Sequence, residues 1–189
     1  NQDLRIVHAA WLPESLATLE AAVGEDLIAQ YRRYDDELVH ALQTASWYGD
    51  YLREQEKHAE ALENADMPPP PMPATAQYEL ARSRLHPIRA LTSGAEVIAP
   101  APFYAGGRWR YTARSAWWQN HHDTPAVLIG HYWRHWYPRD ADPTRENLMP
   151  PQNNAWHGAA HNVYCIDYSV GARWRDRKAG VPPARSTFR

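Results

Sequence analysis

Met67-Pro-Pro-Pro-Pro-Met-Pro73 divides the chain into two stretches of opposite character. Proline lacks the backbone N–H and pins φ, so this run cannot be helical and reads as a stiff, extended connector on the surface. Before it, from Glu25 to about Asn64, the apolar residues Leu27, Ile28, Tyr31, Tyr34, Leu38, Leu42, Tyr48, Leu52, Ala59 and Leu62 recur at three- and four-residue steps among charges. That period predicts long amphipathic helices, broken near Trp47-Tyr-Gly-Asp50. After it, a short helix is expected near residues 77–84. From Glu96 onward the pattern is that of strands: Glu96–Ala99, Trp109–Trp118, Ala126–Ile129 and Val163–Tyr168, with Pro and Gly between them. Residues 138–160 hold four prolines and little periodicity, and read as a long loop. Ahead of the helical region, residues 4–9 read as a short buried strand, and Pro13-Glu-Ser-Leu16 as a helix start.

The predicted class is therefore α/β. A helical insertion over about 14–66 and a Pro-rich connector over 67–73 interrupt a set of strands, and an insertion at a sheet edge acts as a cap over a site. The 189 residues are 44% hydrophobic, with nine Trp and eleven Tyr, enough to bury a core. The formal net charge is −2, which offers no bulk electrostatic attraction for nucleic acid or a membrane surface. No apolar run approaches the roughly 20 residues of a membrane span. Cys165 is the single cysteine, so no internal disulfide forms and no cysteine zinc site is encoded. A reducing, cytoplasmic location fits that usage.

Two apolar runs each end on a histidine. Leu4-Arg-Ile-Val leads to His8, and Ala126-Val-Leu-Ile-Gly leads to His131. The Gly130-His131 step is expected to free the backbone for a turn. Ligands and metals gather at the exits of strands in open α/β sheets, so both imidazoles are candidate ligands of one ion. His121-His-Asp123 and His157-Gly-Ala-Ala-His161 have metal-like spacing, but they read as a polar turn and a loop. Trp11, Trp117, Trp118 and Trp133 read as core residues.

Five segments in order resemble the calcineurin-like metallophosphoesterases, in the bacterial branch close to serine/threonine protein phosphatases. They are Arg5-Ile-Val-His8-Ala-Ala-Trp11, Leu91-Thr-Ser-Gly94-Ala-Glu96, Trp109-Arg110 with Trp117-Trp118, Ile129-Gly-His131-Tyr-Trp133, and Val163-Tyr-Cys-Ile-Asp167-Tyr-Ser-Val. The resemblance implies a four-layer α/β/β/α sandwich and two divalent ions (Mn, Fe or Zn). In that family a bridging water or hydroxide attacks a phosphomonoester or phosphoprotein. It places His8 and His131 on one ion. In this reading Arg110, Arg114 and Arg134 are candidate phosphate-binding residues, because arginine forks match phosphate oxygens. Asp167 is a candidate outer residue that orients a ligand histidine. Trp133 stands where many members carry a second histidine. The family's Asp-x-His, Gly-Asp-x-x-Asp and Gly-Asn-His-Glu motifs do not occur in this sequence. The expectation is accordingly the C-terminal part of such a domain, inactive by itself. The alternatives are an aromatic-rich binding module for sugar or peptide, and a non-catalytic relative that interacts through its helices and proline segment.

Overall fold

The computed structural model describes residues 3–132, 148–149, 155–168, 171, 174, 177–180 and 182. Among these the chain is a mixed α/β protein, in two compact units. The first comprises Asn1–Trp11 with Ala116–Arg189, and the second Leu12–Ser115. No described helix is long and apolar enough to cross a membrane.

The first unit carries a three-stranded parallel sheet of β1 (Leu4–Ile6), β4 (Ala126–Ile129) and β5 (Val163–Cys165), in the order β1-β4-β5. β4, an unbroken apolar run of Ala-Val-Leu-Ile, is the central strand. Its Val127 and Ile129 are 0% and 1% exposed, and β5 adds Val163 and Cys165 at 0% to the same face. Each such side chain stabilises the fold by about 1.5–3 kcal/mol. The expectation of a buried strand at residues 4–9 is corrected here: Leu4 and Ile6 are exposed. β1 is an edge strand, and alternate residues of a strand point to opposite faces. The strand expected to run from Trp109 to Trp118 ends at Arg114, and Trp117–Asn120 form a single 3-10 turn instead. That turn buries Trp117 and Trp118, so both are core residues as their type suggested.

The second unit holds α1 (Pro13–Glu20), α2 (Leu27–Thr44), α3 (Tyr48–Lys57), α4 (Ala59–Glu63), α5 (Pro73–Arg84), α6 (Pro87–Ser93) and an antiparallel hairpin, β2 (Glu96–Ala105) with β3 (Arg108–Arg114). α2 starts where the Asp26 side chain accepts from the Ala29 N–H at 2.8 Å, satisfying an orphan donor of the first turn. It buries Tyr34, Leu38 and Leu42, spaced by four residues, along one stripe. The break anticipated near Trp47 separates α2 from α3. α5 begins at Pro73, earlier than the pattern at 77–84 indicated, because proline is favoured in a helix's first turn, where its missing N–H has no partner to lose. Its other first-turn donors are met by Glu54, whose carboxylate accepts from the N–H groups of Ala74 and Thr75 at 3.2 and 2.7 Å. The unit's core includes Leu62, Met72, Ala76 and Tyr111, with Trp109 packed on it.

Candidate functional site

The three parallel strands all release their chains at the same end of the sheet. Beyond β1 comes His8, beyond β4 comes His131, and beyond β5 comes Asp167. The His8 and His131 rings lie 5.6 Å apart, centroid to centroid, and are tilted by 57°.

Backbone contacts fix the pair. The Gly130 N–H donates to the His8 carbonyl at 2.9 Å, and the Trp117 Nε1–H donates to the Ala9 carbonyl at 3.2 Å. Ala9 and Ala10 are fully buried, so the loop behind His8 is anchored. A Cβ placed on Gly130 would stand 3.4 Å from the His8 carbonyl oxygen and 3.9 Å from the Asp167 Cβ. Those are ordinary van der Waals distances, so the three strand exits lie close together here without requiring glycine. The turn itself falls on His131, whose φ is 62°, a left-handed conformation that few side chains adopt. This corrects the expectation that Gly130 would supply the turn. Below it, the Cys165 Sγ donates to the carbonyls of Gly130 and Tyr132 at 3.7 and 3.4 Å. Tyr132 is buried and stands edge-on to Trp118 at 5.0 Å. The sequence signal for this support was weak, since it depends on contacts between residues more than 30 positions apart.

His8 is exposed, and His131 and Asp167 are half-buried, so the imidazoles are open to solvent. In the same unit, the Arg5 guanidinium lies 4.6 Å over the Trp11 ring and pairs with Asp123, ahead of β4, at 2.6 Å. That pairing holds the Asp123 carboxyl below its ordinary range, through the hydrogen bond from Arg5 first. The arginines expected at the site are distributed differently. Arg110 and Arg114 lie on β3 in the second unit, and Arg134 and Trp133 are outside the described residues. The Arg110 Nε–H donates to the Ala105 carbonyl of its own hairpin at 3.4 Å, and Arg114 stands opposite Glu96 in the ladder.

The other histidines have separate places. His121 is buried, with its Nε2 lacking a partner, and burial lowers its pKa. His157 is buried, whereas His161 is exposed on a turn at φ 50°, so their four-residue spacing is not helical. Gly158 makes that turn possible, because a Cβ there would meet the Trp118 carbonyl oxygen at 2.6 Å.

Among the described residues no three His, Cys, Asp or Glu side chains form a group able to hold a metal ion. An ion of the Mn, Fe or Zn type takes more donors than two imidazoles. No family model, curated protein or solved structure matches the chain.

Proposed function

We propose that this chain supplies His8 and His131 to a divalent-metal centre that hydrolyses phosphate esters, with the fold of a metallophosphoesterase sandwich. The observation that supports the reading is the convergence of the two imidazoles, 5.6 Å apart, at the carboxyl ends of β1 and β4. Divalent cations, when bound, neutralise phosphoryl oxygens and make water more acidic. The protein's own part is to hold and orient. The imidazoles of His8 and His131 act as ligands, and Asp167 orients a ligand histidine from outside. The assignment of Arg110, Arg114 and Arg134 to phosphate oxygens stays with the resemblance alone, since Arg110 and Arg114 lie on β3 of the second unit. The substrate is a phosphomonoester or a phosphoprotein, in the cytoplasm.

Equilibrium dialysis of the whole chain against Zn²⁺ and Mn²⁺ tests the pair directly. His131→Ala is expected to weaken binding by more than about tenfold, since even outer-shell changes at metal sites cost 10–100-fold. Unchanged binding in both His8→Ala and His131→Ala would remove the pair from any centre. A second reading, an interaction module without catalysis, is favoured by the exposed proline segment of the second unit.

A further inference from the structure

Pro68, Pro69, Pro70 and Pro71 join α4 to α5. Each proline fixes its φ near −65° and drives the residue before it into extended or polyproline II backbone. Met67, Pro68, Pro69 and Pro70 all precede a proline. Stereochemistry therefore makes this stretch a polyproline II rod with three residues per turn, and such a rod has three edges.

Burial follows those edges. Pro69 is buried, and so is Met72, where the backbone leaves the rod (φ −125°, ψ 81°) to enter α5. Pro68 with Pro71, and Met67 with Pro70, are exposed. The buried edge sits on the unit's core, where Met72 packs with Leu62, Ala76 and Tyr111. The Tyr111 hydroxyl donates to the Pro70 carbonyl at 2.9 Å, and the Trp109 Nε1–H donates to the Asn64 carbonyl at 2.8 Å. Burial first, then the charges of Glu54 and Glu79, push the Tyr111 hydroxyl up to about 12, so it stays a donor at neutral pH. The rod is thus ordered before any partner arrives, which removes part of the entropy cost of binding.

Along the chain the flanks have one sign of charge, and Arg108 of β3 is the positive charge that bears on Tyr111. No lysine or arginine occurs between Lys57 and Arg82, and Glu60, Glu63 and Asp66 just before the rod are exposed. Domains that read polyproline II lay two edges of the rod in a groove of aromatic side chains and leave the third outside. Here the third edge is the one already packed on this protein. We propose that the edges Pro68/Pro71 and Met67/Pro70 are a docking ligand for a partner protein with an aromatic-lined, basic-bordered proline-binding groove.

The test titrates the whole chain with two purified probes, an EVH1-type domain chosen for a basic border and an SH3 domain chosen for an acidic one. Saturable binding to the first is expected, at least about tenfold tighter than to the second. Pro68→Ala with Pro71→Ala should weaken it by at least about tenfold, which is 1.4 kcal/mol. The surface variant Glu63→Lys with Asp66→Lys leaves the rod intact, and should weaken binding to the first probe and strengthen binding to the second. Absence of saturable binding to the EVH1-type domain, or binding that neither double variant changes, would overturn the proposal. Tighter binding to the SH3 domain would overturn the assigned charge of the groove.

Discussion

His86 has no exposed surface, although it carries a titratable ring. It is the residue before α6, and its Nδ1 accepts from the Arg89 N–H at 3.3 Å, so the neutral ring acts as a helix cap. Tyr31 and Tyr34 of α2 lie against it, with ring centroids at 4.6 and 5.9 Å. The charged groups facing it are Arg89 and Asp35, themselves paired at 2.7 Å. Burial first, then the Arg89 charge, lowers the imidazole pKa below its ordinary value of 6.5. The unfolded chain therefore takes up this proton before the folded one does. The contribution of the neutral ring is full above the unfolded value, and is lost as pH falls from there through the folded value. We expect denaturant midpoints to drop as pH falls below about 6.5. His86→Asn keeps a good capping oxygen and removes the titration, so its pH profile should be flatter in that range. Equal slopes in the two proteins would show that His86 stays protonated to the same degree folded and unfolded. At this scale the candidate ligands were legible in the sequence, because an apolar run that ends on a histidine delivers it to a strand exit. The tie between the two strand exits was not. It is the hydrogen bond from the Gly130 N–H to the His8 carbonyl, 122 positions away, which no local pattern records.

At the scale of elements, the β2–β3 hairpin shows a side chain doing the work of a strand. The ladder pairs Ile98 with Thr112 and resumes at Phe103 with Arg110, so Ala99–Pro102 bulge out opposite Tyr111. Pro100 and Pro102 have no N–H to give, and a bulge is where a strand tolerates them. The Glu79 Oε2 of α5 reaches the gap. It accepts from the N–H groups of Tyr111 and Thr112 at 2.9 and 3.1 Å, and from the Thr112 hydroxyl at 3.1 Å. Tyr111 and Thr112 are buried, so losing the carboxylate strands their two N–H groups, while the Thr112 hydroxyl keeps the Glu96 carboxylate as a partner. Glu79→Ala is expected to cost about 2–3 kcal/mol in urea unfolding, with Glu79→Gln intermediate, because a hydrogen bond to a charged acceptor contributes more than one to a neutral amide. A loss below about 0.5 kcal/mol would mean that water replaces Glu79 at the bulge. The sequence pattern located β4 to the residue and missed this arrangement. A strand's ends follow from its own residues, but the acceptor for an unpaired N–H comes from another element. The same reasoning explains β1: its apolar composition was read as burial, while its exposure is set by its position at the sheet edge.

For the whole molecule, the order of strand, helices, prolines and strands was legible as an insertion within a sheet. Where that insertion ends was not. The strands β2 and β3 carry the same β-branched and aromatic signature as β4 and β5, yet they pair with each other. The local sign of this was Gly106-Gly107, both at positive φ (62° and 82°), a two-residue turn that fits the twist of a tight hairpin. The second unit is therefore one unbroken stretch, Leu12–Ser115, larger than the helical region over 14–66. Its cap contacts (Glu54 to α5), its bulge acceptor (Glu79 to β3) and its apolar cluster around Met72 all lie inside that stretch. The first unit is discontinuous, because its sheet needs β1 from one end of the chain and β4 and β5 from the other. A continuous unit with its own core can fold by itself, whereas a split one must close a long loop first. Residues 12–115 expressed alone should give a helical circular dichroism spectrum, a cooperative melt and dispersed amide resonances. Deleting β1 from the whole chain should leave that melt in place and abolish the cooperative unfolding of the parallel sheet. A non-cooperative 12–115 fragment would show that the second unit draws part of its stability from the first.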